Sequence, residues 1–438
     1  MQTLKEIEKR IERAVLVGVN LRNAEHFEYS MEELADLAGA IEVEIAGVIT
    51  QNLERVTASH YVGTGKIDEV KALYDETGAN LVIFNDELSP SQIRNLERDL
   101  DCKVIDRTML ILDIFGRRAK TKEAQMQVEL AQLQYMLPRL VGLHASLSRQ
   151  GGSAGGSFSN RGAGETKLEL DRRKIEDQIA KLRRDLEDVK EQRETQRKQR
   201  KKNAIPVVSI VGYTNAGKST IMNETLRKIG QHDDKQVFEK DMLFATLETS
   251  VRQIDLEDNK RFLLTDTVGF VSKLPHHLVK AFRSTLEEAR DADLLLHVVD
   301  VSNEEYRFMM QVTEETLKAI GVEGVPTIYV YNKSDKANLE YPVVSGDNIW
   351  MSAKENAGLD ELIDMIRKEI FSNYVTCYML IPYDRGDIVS HLNMHASIHS
   401  TSYEENGTLL YVEVTDADYN KYKQYVLTDE MLSELLNN

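Results

Sequence analysis

The stretch "VVSIVGYTNAGKST", residues 207 to 220, constrains the fold of this chain more than any other. An apolar run reads as a buried strand, glycines bracket a tight turn, and a helix start follows. The spacing satisfies G-x-x-x-x-G-K-[ST] with Gly212, Gly217, Lys218 and Ser219. Glycine lets backbone N–H groups close around phosphate oxygens at a helix N-terminus. The loop residues Tyr213, Thr214, Asn215 and Ala216, with Thr220 just inside the helix, are therefore candidate phosphate contacts. Lys218 would neutralise β- and γ-phosphates, and the Ser219 hydroxyl can ligate Mg²⁺. A chance glycine-rich turn is the plain alternative, but the flanking strand and helix are the context a phosphate loop needs.

Three further motifs follow in a set order. Asp266 ends the apolar run "RFLLTDT" and begins D-x-x-G with Thr267, Val268 and Gly269. A carboxylate there can hold Mg²⁺ through water, and the Gly269 N–H can reach a γ-phosphate. "TIYVYNKSD" supplies Asn332, Lys333, Ser334 and Asp335 after another strand-like run. An Asp carboxylate accepts from guanine N1–H and the 2-amino group. Adenine lacks that donor pair, so a carboxylate left unpaired makes base choice sharp. "WMSAKENAG" then offers Ser352, Ala353 and Lys354 as a base-contacting loop. Between the first two motifs, "LFATLET" holds Thr246, the candidate switch threonine that reaches Mg²⁺ only with GTP bound, flanked by Phe244, Ala245, Leu247 and Glu248; Thr249 is the rival. The expected Mg²⁺ ligands are Ser219, Thr246 and Asp266, and the expected substrate is GTP. Lys218, Thr246, Gly269 and Asn215 are the candidate catalytic groups. Position 270, where Ras-type enzymes place the glutamine that orients water, is Phe270.

Around this core the sequence predicts a multidomain α/β chain of four units. Residues 1–118 alternate strand-like runs ("AVLVGVN", "EIAGVIT", "NLVIFND", "KVIDR") with helical ones, as in a small α/β domain with a mostly parallel sheet. Ser30 and Glu33 read there as a capping box at a helix start. Residues 119–203 carry 4-3-4-3 apolar spacing, at Met126, Leu130, Leu133, Leu137 and Leu140 and again at Ile175, Ile179, Leu182, Leu186 and Val189. That predicts an antiparallel coiled-coil hairpin. Pro138 is expected to kink or end its first helix, and the Gly/Ser-rich run from Gly151 to Gly164 to form a flexible tip. The GTPase domain is expected over 204–372 as a doubly wound α/β sheet, and a small α+β domain over 373–438, where Asn406-Gly407 signals a hairpin.

The composition narrows partners and place. A net charge of −17 argues against a protein coated in nucleic acid, although Arg193 to Lys202 is densely cationic. That run is either a solvated helix end or a contact for RNA phosphates. Only Cys102 and Cys377 are present, in no metal-ligand spacing, which fits a reducing compartment. The N-terminus "MQTLKEIEKRIERAV" lacks an apolar signal core. A cytoplasmic protein with no membrane span, monomeric in solution, is expected.

Several stretches together resemble the HflX-type ribosome-associated GTPases. They include "YVGTGK", "NDELSPSQIRNLERDL", "VIDRTMLILDIF", "EAQMQVELAQLQYMLPRL", "GETKLELDRR", "DMLFATLET" and "DTVGFV". The resemblance spans nearly the whole chain, and a phenylalanine after D-x-x-G is usual in that family. At the tip, Ala163 stands where the family commonly has proline. The resemblance implies the 50S ribosomal subunit and its rRNA as partners, a hairpin loop reaching toward the peptidyl-transferase centre, and GTP-dependent splitting of stalled or idle ribosomes. Some members are said to bind ATP in the N-terminal domain; here "YVGTGK" lacks a Walker pattern and reads as a structural turn. Asn215 resembles the P-loop asparagine of potassium-activated GTPases, which makes K⁺ a further candidate cofactor. Bracing of the loop is the alternative role for Asn215. GTPases that drive tRNA modification or ribosome assembly, and coiled-coil GTPases that assemble on membranes, are competing classes. The first would need a cofactor site or reactive cysteine, and the last an anchoring segment.

Overall fold

The computed structural model describes residues 12–22, 24–150, 161–202, 205–230, 244, 250–256, 258, 260–274, 288–428 and 431–433. In its first part, strands β1 (Arg13–Leu21), β2 (Glu44–Leu53), β3 (Leu81–Phe84) and β4 (Lys103–Asp106) alternate with helices α1 (Phe27–Gly39), α2 (Thr64–Thr77) and α3 (Pro90–Leu100), and α4 (Arg107–Arg118) follows. The strands lie in the order β2-β1-β3-β4, all parallel. β1 is a continuous apolar run because both sheet faces are covered. Ala14 and Leu16 point into one core, with Leu34, Ile111 and Phe115, while Val15, Val17 and Val19 point into the other, with Ile67, Val82 and Leu96.

The start of α1 differs from the sequence expectation. His26, in the left-handed region, precedes the helix, so Ser30 and Glu33 lie inside it and form no capping box. Both are buried and serve tertiary bonds instead: the Asn85 amide donates to Ser30 Oγ at 2.9 Å, and Glu33 meets Arg107. A reciprocal capping box does form at α3, between Ser89 and Gln92, with Pro90 at the first helical position.

Helices α5 (Lys122–Gln150) and α6 (Arg161–Lys202) form the hairpin. Its seam is Leu130, Ile179 and Leu182, flanked by Met126, Leu133, Leu137, Ile175 and Leu186, as the heptads require. Of the two ways Pro138 could act, ending the helix is not seen, and part of the predicted tip loop is helical. α5 runs through Pro138 to Gln150, with Arg139 donating to the Tyr135 carbonyl at 2.6 Å in the turn before the ring. Seam packing below that turn offsets the lost backbone bond. Arg161 to Gly164, assigned to the loop, begin α6, so the tip is shorter than its composition suggests.

Next come β5 (Val207–Gly212), α7 (Lys218–Lys228), β6 (Ser250–Asp255), β7 (Arg261–Asp266), β8 (Leu294–Asp300), α8 (Tyr306–Ala319), β9 (Thr327–Asn332), β10 (Val343–Ser345), β11 (Asn348–Trp350) and α9 (Leu359–Ile370). The sheet order is β10-β11-β9-β8-β5-β7-β6, parallel from β11 to β7, with antiparallel strands at its two edges. One face packs on α7 and α9, the other on α8. The last part is an antiparallel sheet, β12 (Tyr374–Ile381), β14 (Gly407–Thr415) and β13 (Ser397–Glu404) in that order, with α10 (Gly386–His395) and α11 (Asp416–Tyr422). The β13–β14 hairpin closes at Glu404 opposite Gly407, where Asn406-Gly407 announces it. Among the described residues no helix is long and apolar enough to cross a membrane.

Candidate functional site

The β5–α7 loop stands at the carboxyl end of the central strand, where ligands bind in open α/β sheets. Its glycines are required by close approaches. A Cβ on Gly212 (φ +146°) would lie 2.3 Å from the Val298 carbonyl oxygen, and one on Gly217 (φ +96°) would lie 2.2 Å from the Asn332 amide nitrogen. Asn215 turns the loop at φ +61° with its side chain exposed. Thr214 Oγ1 is buried with no hydrogen-bond partner among the described residues. Thr220 is half-buried one turn behind.

Lys218 folds under the loop and donates to the carbonyls of Tyr213 at 2.7 Å and Gly212 at 3.1 Å. Burial pushes its pKa down to about 8, against the pull of Asp266. A bound phosphate would favour the charged form further. The Ser219 hydroxyl donates to Asp266 Oδ2 at 2.7 Å. One hydroxyl beside one buried carboxylate is an oxygen donor set of the kind Mg²⁺ takes alongside phosphates and water, so these residues fit the ion.

After Asp266 the chain returns across the loop. Thr267 Oγ1 donates to the Ile210 carbonyl at 2.7 Å, Thr214 N–H to the Phe270 carbonyl at 2.8 Å, and Phe270 N–H to the Gly212 carbonyl at 3.1 Å. A Cβ on Gly269 would crowd Thr214 Cα at 2.8 Å and Lys218 Nζ at 2.9 Å, so only glycine passes there. The Phe270 ring is buried in a core cluster with Val211, Tyr213 and Leu295.

The base-side motifs converge on the same loop through Asn332. Its amide donates to the Ala216 carbonyl at 2.9 Å, and its oxygen accepts from Ala353 N–H at 3.0 Å. Lys333 (φ +62°) pairs with Asp300 at 2.7 Å. Ser334 Oγ donates to the Tyr331 carbonyl at 3.1 Å, Ser352 is buried, Asp335 is half-exposed and Lys354 is exposed. Two predicted contacts stand apart: Phe244 packs edge-on to Phe115 at 4.7 Å, and Val268 joins the same N-terminal core. Thr246, Ala245, Leu247, Glu248 and the rival Thr249 lie outside the described residues.

One cluster escaped sequence reasoning. Tyr213 Oη and Ser272 Oγ both donate to the Glu33 carboxylate, which also pairs with Arg107. Arg107 further donates to Ser272 Oγ at 3.0 Å and Asn85 Oδ1 at 2.9 Å, while Ser272 N–H donates to Tyr213 Oη at 2.6 Å. Nearby, Lys273 pairs with Asp86 at 2.6 Å. The phosphate loop and the segment after D-x-x-G are thus bolted to the first sheet by a buried ion pair. Burial and the Glu33 charge hold the Tyr213 hydroxyl well above its usual pKa. Glu33, with Ser30, signalled a helix cap in the sequence and Tyr213 a phosphate-loop contact; neither signal pointed to this cluster.

A G-x-x-x-x-G-K-S loop between strand and helix, tied by Asn332 to the loop at Ala353, defines the P-loop GTPases as the class of this domain. The comparisons agree. Residues 28–116 match the family described as GTP-binding GTPase N-terminal, 118–200 the GTP-binding GTPase Middle Region, and 207–333 the 50S ribosome-binding GTPase. GTPase HflX of Caldanaerobacter subterraneus subsp. tengcongensis is 43% identical over 97% of this chain and 96% of its own. GTPase HflX of Escherichia coli K12 is 38% identical over 94% and 95%. A GDP complex of a GTP-binding protein from the archaeon Sulfolobus solfataricus is similar at 26% identity and a TM-score of 0.43, covering 83% of this chain and 99% of that one. The chain belongs to the HflX GTPase family.

Proposed function

We propose that this protein is a GTP-binding and GTP-hydrolysing switch that docks on the large ribosomal subunit and splits or rescues stalled and idle ribosomes. It works through four units, 1–118, 119–203, 204–372 and 373–438. The observation that carries the nucleotide reading is the convergence of Lys218, Ser219–Asp266 and Asn332–Ala353 on one loop. In this reading Gly212 to Ser219 wrap the phosphates and Lys218 neutralises them. The Gly269 N–H meets the γ-phosphate, and Asp335 reads guanine. Mg²⁺, held by Ser219, Asp266 and, in the GTP state, Thr246, would neutralise phosphate charge. With the Phe270 ring buried, water must be oriented by another group, so hydrolysis is slow alone and faster on the ribosome. Asn215, exposed on the loop, would help hold K⁺ against the phosphates. Asn215→Ala should then abolish a preference for KCl over NaCl in the hydrolysis rate, and equal wild-type rates in the two salts would exclude that role.

The family resemblance and the 50S ribosome-binding match over residues 207–333 support the ribosomal partner. Co-sedimentation with isolated 50S subunits and with 70S ribosomes, with a non-hydrolysable GTP analogue or GDP, tests it. Analogue-dependent 50S binding with conversion of 70S to subunits is expected; absence of binding to either would overturn the reading.

A further inference from the structure

The β6–β7 hairpin links two distant places. At one end Ser250, the first residue of β6, pairs with Asp266, which holds Ser219. At the other end, about 17 Å away for five residue steps, Asp255 pairs with Arg261. β7 is paired on both sides, by β5 and β6, whereas β6 is at the sheet edge and, among the described residues, pairs only with β7. Whatever grips the far end therefore bears on where β6, and the chain feeding it, can stand.

That grip comes from the C-terminal domain. Lys260 is only 8% exposed, although its ammonium must find partners when removed from water. It pairs with Glu413 of β14 at 2.7 Å and lies 3.6 Å from Asp258, beneath the rings of Phe371 and Tyr374 at 5.2 and 5.5 Å. Asp258 is held in turn by Arg367 of α9 at 2.7 Å. Arg261 donates to the Met394 carbonyl at the end of α10 at 3.2 Å. Sliding the hairpin would drag a buried ammonium away from its carboxylate.

We propose that Lys260 and Glu413 are positioning residues for the nucleotide site: through the β6–β7 hairpin the C-terminal domain sets the register of β6 and so the metal-binding end of the switch. The inference rests on the reading of Asp266 as a metal-site residue. Three full-length variants, Glu413→Gln, Lys260→Met and Lys260→Arg, and the charge swap Lys260→Glu/Glu413→Lys test it. Two quantities are read: backbone amide exchange over β6 without nucleotide, and the Mg²⁺ concentration that half-maximally slows release of a fluorescent GDP.

Glu413→Gln and Lys260→Met should speed β6 exchange and raise the Mg²⁺ midpoint by about three- to tenfold, as for coupled neighbours. Lys260→Arg should stay near wild type, and the swap should recover part of the loss. A lowered Tm with β6 exchange and the Mg²⁺ midpoint unchanged would reduce the pair to a stabilising contact and overturn the proposal. Asp266→Asn separates the two readings. If it leaves the Mg²⁺ response intact, the metal reading fails, and β6 exchange alone decides the coupling.

Discussion

Asp335 is half-exposed, and that exposure leaves its carboxylate open to a base. Its conversion to Asn replaces an acceptor with a group that also donates. GTP binding should be lost and XTP binding gained, read by competition against labelled nucleotide; unchanged GTP affinity would refute the assignment. His297, on β8 beside the phosphate loop, makes a pH prediction. Burial, with a smaller push from Lys218, lowers its pKa to about 4. The unfolded chain, near pKa 6.5, takes up the proton first. The His297 contribution is therefore fully present above about pH 6.5 and is lost as pH falls toward 4. The urea midpoint of the wild type should fall more steeply across that window than that of His297→Gln. Parallel slopes would show that His297 is not held neutral.

At the scale of elements, the hairpin tip gives the plainest test. Replacing residues 151–160 by a Gly-Ser linker of equal length should leave Tm and GTP affinity unchanged while removing the proposed action on ribosomes; a large drop in Tm would mean that the segment is packed. The same region shows what the sequence makes legible. Periodic seams, the β5–α7 turn and the Asn406-Gly407 hairpin are encoded within a few residues of one another, so pattern alone finds them. The contacts that shape the site are not local. Glu33 and Ser272 are 239 positions apart, and Ser30 with Glu33 mimics a capping box because the same residue types suit a helix end and a buried polar junction. Pro138 failed as a stop signal for a similar reason: packing against α6 outweighs one lost backbone bond. The sequence shows at Phe270 only that the Ras-type glutamine is replaced, and the fold adds that the ring is a core residue.

At the scale of the whole molecule, the ion pair of Glu33 and Arg107 is the joint between the first domain and the nucleotide loops. Arg107 is 1% exposed and Glu33 3%, so removing one partner strands the other. Arg107→Met should cost about 3–5 kcal/mol, read from denaturant midpoints, and adding Glu33→Gln should recover part of it. A double variant as unstable as the sum of the singles would show that the two charges do not act together. The same closeness has a consequence in time. Phe244, Val268 and Val271 belong to the core built by residues 14 to 135. During synthesis the chain must extend roughly 135 residues past Tyr135 before the last piece of that core, Val271, exists, which at about 5–20 residues per second takes roughly seven to twenty-seven seconds. For that interval the nascent first domain carries an open apolar face, and its folding cannot finish until the GTPase part is translated through β7 and the segment after it.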